Sequence, residues 1–146
     1  MENVFIMLLF GHLIGDYFVQ NNWMAQNKKA PTLKGAAACI LHCSLYTSMV
    51  YMFLVTIHIY LNLIAISLIF LSHYILDRYN LLDYWCRFYG IRTWKSEITI
   101  NNTIQFKRLA NLQDTINISF GTFVSIVQDN ALHLIMMWYI VKIFKG

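Results

Sequence analysis

Residues 35–76 read GAAACILHCSLYTSMVYMFLVTIHIYLNLIAISLIFLSHYIL and contain no Lys, Arg, Asp or Glu. A helix rises about 1.5 Å per residue, so about 20 mostly uncharged residues cross a bilayer core of about 30 Å, and this run is long enough to cross twice. A turn near residues 58–62 is expected to fold it into a helical hairpin.

Two more segments flank the hairpin. Residues 3–19 are apolar apart from His12 and Asp16, and residues 118–144 hold Asp129 as their one acidic residue, with Lys142 near the far end. Four crossings are therefore expected, at about 3–19, 36–57, 60–77 and 118–144. The fold class that follows is all-α: an integral membrane four-helix bundle forming a single domain over residues 1–146. Composition points the same way, because 58% apolar and 12% charged residues are too greasy for an ordinary soluble domain of 146 residues.

Residues 3–19 do not read as a signal peptide. They lack a basic leading region and a small-residue cleavage site, and the segment is expected to be retained. The three cysteines, Cys39, Cys43 and Cys86, form no C-x-x-C pair, so neither a disulfide framework nor a thiolate zinc site is indicated.

The net charge of +4 could suggest a nucleic-acid partner, yet the basic residues sit in the connections between greasy segments. One connection carries Lys28, Lys29 and Lys34, and the long one carries Arg78, Arg87, Arg92, Lys95, Lys107 and Arg108. The positive-inside rule makes both cytoplasmic, which predicts a multi-pass membrane protein with the bilayer, rather than nucleic acid, as its partner. The long connection opens with Tyr79, Tyr84, Trp85, Phe88, Tyr89 and Trp94 among its arginines, a mixture that favours the headgroup layer. It is expected to lie on the membrane surface. Within it SEITINNTIQFK alternates apolar and polar residues around Asn101 and Asn102, a weak hairpin signal for a small lid.

The polar residues inside the crossings carry the functional signal. His12 with Asp16, His73 with Asp77, and Asp129 with His133 are each four apart, which places both members on one helix face. The order reverses with chain direction, so in all three helices the Asp lies nearer the long-loop face and the His one turn deeper. His42, some seven residues into its crossing, falls at a compatible depth. An Asp at the centre of a crossing costs about 2.5–3.5 kcal/mol on insertion scales, and a bound cation would offset that cost.

Imidazole and carboxylate together are usual ligands of Zn, Mn or Fe. The expected metal ligands are His12, Asp16, His42, His73, Asp77, Asp129 and His133, for one or two divalent ions, Zn first. Around them Gln20 could orient a ligand or mark the interface, Arg78 could hold a phosphate headgroup or anchor the membrane face, and Cys43 reads as core packing.

Taken together, GHLIGDYFVQNNWMAQNK (residues 11–28), the Leu-His pair at His42, SHYILDR (72–78) and QDNALH (128–133) resemble a family of small bacterial and phage membrane proteins, domain of unknown function 3307. More distantly they are similar to inner-membrane metal-dependent hydrolases. The resemblance spans nearly the whole chain and includes Gln20, Trp23 and Lys28. It implies a metal-binding hydrolase using the seven His and Asp positions. Asn130 stands where the family pattern leads one to expect Gln, an amide shorter by one methylene.

The leading expectation is a membrane-embedded metal-dependent hydrolase of a lipid or lipid-linked phosphoester, with Asp16, Asp77 and Asp129 as the catalytic carboxylates. The alternatives are a metal or cation transporter, a haem protein with axial histidine pairs, and a non-catalytic membrane interaction protein that uses the polar cluster as internal glue and binds a protein partner.

Overall fold

The computed structural model describes residues 2–79, 81, 88 and 112–144. Every regular element among them is helical: α1 (Glu2–Leu13), a π-helical segment (Ile14–Phe18), α2 (Asn22–Asn27), α3 (Leu33–Val55), α4 (Leu63–Tyr79) and α5 (Leu112–Phe144). The aromatic and basic connection expected on the membrane surface, its weak hairpin and Cys86 lie outside the described residues. The chain divides into two compact units, residues 1–80 with 132–146, and residues 81–131. The first holds α1 to α4 and the C-terminal part of α5.

Polar side chains set the helix starts. Asn21 accepts the backbone N–H of Met24 at 2.9 Å, Thr32 that of Gly35 at 3.1 Å, and Asn62 that of Ala65 at 2.9 Å. Each supplies an acceptor to a donor that the first helical turn leaves without a partner. At its far end α3 stops where His58 takes a positive φ of 59°. The connection to α4 then falls over residues 56–62, where the charge-free run was expected to turn.

A π segment continues α1 without a break. The N–H of Val19 bonds the carbonyl of Ile14 at 3.0 Å, five residues back. Two glycines let this rod approach α3 closely. A Cβ on Gly11 would come within 2.7 Å of Val50 Cα, and one on Gly15 within 2.7 Å of Tyr46 Cδ2. Gly-x-x-x-Gly spacing, a common device for close helix contact in membranes, was not singled out in the sequence reading.

The core of the first unit gathers Leu8 from α1, Tyr46, Val50 and Leu54 from α3, Ala65 and Ile69 from α4, and Met137 and Val141 from α5. Large apolar side chains also face outward, among them Phe10, Leu41, Met52, Ile64, Ile135 and Ile143. Four of the five histidines do the reverse. His12, His42, His73 and His133 are all buried. Two helical stretches, Leu33–Val55 and Phe123–Phe144, are long and apolar enough to cross a membrane.

Candidate metal centre

Four helical segments of the first unit bring the polar residues to one place. Asp16 comes from the π segment, His42 from α3, His73 and Asp77 from α4, and His133 from α5. Residues 73 and 77 lie one turn apart on α4, so both side chains leave the helix on the same side.

Four atoms face one another at the middle: His42 Nε2, His73 Nε2, Asp16 Oδ1 and Asp77 Oδ2. The two nitrogens are 3.0 Å apart. Asp16 Oδ1 stands 3.3 Å from His42 Nε2 and 3.4 Å from His73 Nε2. Asp77 Oδ2 stands 3.1 and 3.5 Å from the same nitrogens. Zinc ligands at about 2.0–2.1 Å in a tetrahedron are separated by about 3.3–3.4 Å along each edge. These five separations, 3.0–3.5 Å, have the size of such edges.

The donor set fits a divalent cation for a second reason. Asp16 Oδ1 is buried and accepts no hydrogen bond among the described residues, although two imidazole nitrogens lie beside it. A buried carboxylate oxygen left in that condition is costly, and a cation placed among the four atoms would remove the cost.

Other side chains brace this group. His12, with no exposed surface, directs Nδ1 to Asp16 Oδ2 at 3.4 Å and to the Tyr46 hydroxyl at 3.0 Å. The Tyr46 hydroxyl in turn donates to Met137 Sδ at 3.0 Å. The Tyr46 ring lies flat on His73, with centroids 3.6 Å apart and planes 13° from parallel. On its other edge His73 meets His133, Nδ1 to Nδ1, at 3.0 Å. Asp129 sits one turn before His133 on α5, and Asn130 donates to the Ile126 carbonyl at 2.6 Å on the same helix.

Lys28 reaches the cluster from the connection after α2. Its ammonium donates to Asp77 Oδ2 at 2.6 Å and to Gln20 Oε1 at 2.7 Å. Lys28 thus bridges Gln20 and Asp77. Arg78 turns away from the cluster and donates to the carbonyls of Lys28, Ala30 and Thr32. It clasps the connection that carries Lys28. Gly35 is required there, because a Cβ would press on the Arg78 guanidinium and the Ala30 carbonyl.

The sequence reading did not single out Tyr46 and Lys28 as parts of the site. Tyr46 is one of nine tyrosines in an aromatic-rich chain, and its contacts with His73, His12 and Met137 span 27, 34 and 91 residues. Lys28 carried a signal as a basic residue of a connection and as one of the quoted family positions, neither of which points to Asp77.

A family model for proteins of unknown function, DUF3307, matches residues 4–145. The chain belongs to the DUF3307 family. The matched residues include every His and Asp of the cluster. No curated protein and no solved structure matches the chain.

Proposed function

We propose that this DUF3307 protein is a membrane-embedded, metal-dependent hydrolase of a lipid or lipid-linked phosphoester, seated in the bacterial inner membrane with its long connections on the cytoplasmic side. The observation that carries the reading is the four-atom group of His42, His73, Asp16 and Asp77, whose separations match the edges of a metal polyhedron.

The membrane setting rests on an inversion of polarity. Imidazoles and carboxylates are enclosed while Phe, Leu, Met and Ile side chains face out, an arrangement that water disfavours and hydrocarbon accepts. The two helices with the length and composition of a crossing agree with it.

Access favours chemistry over a purely structural ion. A structural metal site is closed, whereas a catalytic one keeps a side open. The Asp16 side chain retains 16% of its surface and Lys28 13%, while the two central histidines retain 1–2%, so the group opens on the side of Asp16 and Lys28. A divalent ion such as Zn, with Mn or Fe as alternatives, would supply Lewis acidity toward a phosphoryl oxygen and activate a water. Asp16 and Asp77 hold negative charge at the centre, His42 and His73 contribute neutral nitrogen donors, and Lys28 presents a cation beside the opening where an anionic headgroup would arrive.

Elemental analysis of detergent-purified protein, prepared without chelator or added metal, tests this reading. Near-stoichiometric Zn, Mn or Fe is expected in the parent protein and its loss in an Asp16→Ala, His73→Ala double variant. Hydrolysis of phospholipids or lipid pyrophosphates, abolished by His73→Ala in folded protein, is the expected activity. The competing reading, internal glue, draws on the Lys28–Asp77 ion pair, which already neutralises one carboxylate. Folded protein free of metal would decide for glue.

A further inference from the structure

We infer that His133 is a positioning residue, not a metal ligand: it accepts a hydrogen bond from His73 Nδ1 and so holds His73 in the one tautomer that can bind metal. The inference rests on the metal reading above and deepens it by assigning the proton on each ring.

A neutral imidazole carries one proton shared between two nitrogens, one donor and one acceptor. Both nitrogens of His73 are engaged. Nε2 faces the central group, 3.0 Å from His42 Nε2 and 3.4 and 3.5 Å from the two carboxylate oxygens, while Nδ1 faces His133 Nδ1 at 3.0 Å. Giving the Nε2 lone pair to a metal places the His73 proton on Nδ1. Two N–H groups cannot point at each other across 3.0 Å, so His133 Nδ1 must be the acceptor. The His133 proton then resides on Nε2, which stands 3.9 Å from Asp77 Oδ1. Neither His133 nitrogen retains a lone pair for an ion.

The opposite direction, with His133 donating to His73, would put the His73 proton on Nε2 and aim it into the central group, removing a donor from it. Metal-binding histidines commonly give their second N–H to a carboxylate, a carbonyl or water, which fixes the ring. Here an imidazole takes that place. The ring is also held by its face, since Tyr46 stacks on it at 3.6 Å and is itself fully buried.

Side-chain length distinguishes the two roles for His133. The amide oxygen of Asn mimics the position of Nδ1, and that of Gln reaches the position of Nε2. Purified parent, His133→Asn, His133→Gln and His133→Leu proteins are titrated with Zn²⁺ alone and, separately, with Co²⁺, read by metal analysis and by visible absorption. His133→Asn is expected to keep one ion with affinity within about threefold of the parent, while His133→Gln and His133→Leu lose about 10- to 100-fold, the usual cost of losing a partner behind a metal-bound histidine. Binding retained by Gln and lost by Asn would overturn the inference and make Nε2 a ligand, leaving the metal reading intact. A parent protein that takes up no metal would overturn the metal reading and this inference with it. Long-range ¹⁵N–¹H spectra of the Zn-loaded parent protein serve where the variants do not fold: protons on His73 Nδ1 and His133 Nε2 are expected, and a proton on His133 Nδ1 overturns the assignment.

Discussion

Replacing Gly15 by Ala places a methyl group against the wall of the site, and the size of the effect follows from what stands behind that wall. The new Cβ would lie 2.7 Å from Tyr46 Cδ2 and 3.2 Å from Tyr46 Cα, where ordinary contact begins near 3.4 Å. The tyrosine ring would have to retreat by about 0.7 Å. It has nowhere to go, because His73 lies flat against it at a centroid distance of 3.6 Å. Overpacking a filled core costs about 1–3 kcal/mol, and Ala recovers about 1 kcal/mol over Gly in a helix, so a net loss of about 1 kcal/mol, up to about 2, is expected. Thermal unfolding of Gly15→Ala, Tyr46→Leu and the double variant in detergent measures it. The double variant should be more stable than the sum of the single losses implies, by about 1 kcal/mol, because removing the ring makes room for the methyl. A Gly15→Ala protein that melts at or above the parent temperature, or strict additivity in the double variant, would refute the proposed chain of contacts from Gly15 through Tyr46 to His73.

Three further outcomes are expected. Lys28→Met should lower the stability of the metal-free protein yet tighten Zn²⁺ binding by about tenfold or more, because the ammonium and an ion would share Asp77 Oδ2 and repel each other; weaker binding by calorimetric titration would contradict this. Tyr46→Phe removes the hydroxyl between His12 and Met137 and should cost about 1–2 kcal/mol while metal stoichiometry is unchanged, read from melting curves and elemental analysis of the same samples. Arg78→Gln releases the carbonyls of Lys28, Ala30 and Thr32 and should speed amide exchange across residues 28–35; unchanged exchange by mass spectrometry would mean that the clasp contributes nothing to the order of that connection.

The helical hairpin was legible because a charge-free run twice the length of a crossing leaves few other folds, and its turn shows in the same run. The His and Asp positions were legible because pairs four apart must share a helix face, so one sequence carries half of the three-dimensional relation. The other half was not legible. Nothing local tells His42 Nε2 to meet His73 Nε2, since that contact depends on how α3 and α4 are rotated about their axes. Periodicity likewise treats the histidines of a set as equals, and so all four were expected as ligands; only the structure shows that His12 Nδ1 meets Asp16 and that His133 Nδ1 meets His73. Lys28 looked like any basic residue at a membrane face, because its partner Asp77 is 49 residues further along the chain.

The π segment beside the site has a consequence for how chain length can vary. Bonding five residues back accommodates one residue more than an α-helix would hold over the same span. Elsewhere in a helix, deleting one residue turns everything beyond it by about 100° and scrambles which side chains face inward. Between Ile14 and Phe18 a deletion can instead be absorbed, with the ladder closing to four-residue spacing and both flanks keeping their orientation. Tyr17, which points outward, is the residue such a shortening could remove while leaving Asp16 in the chain. The first helix thus carries a register joint next to its carboxylate, and a deletion of one residue is expected to be tolerated there before anywhere else along the rod.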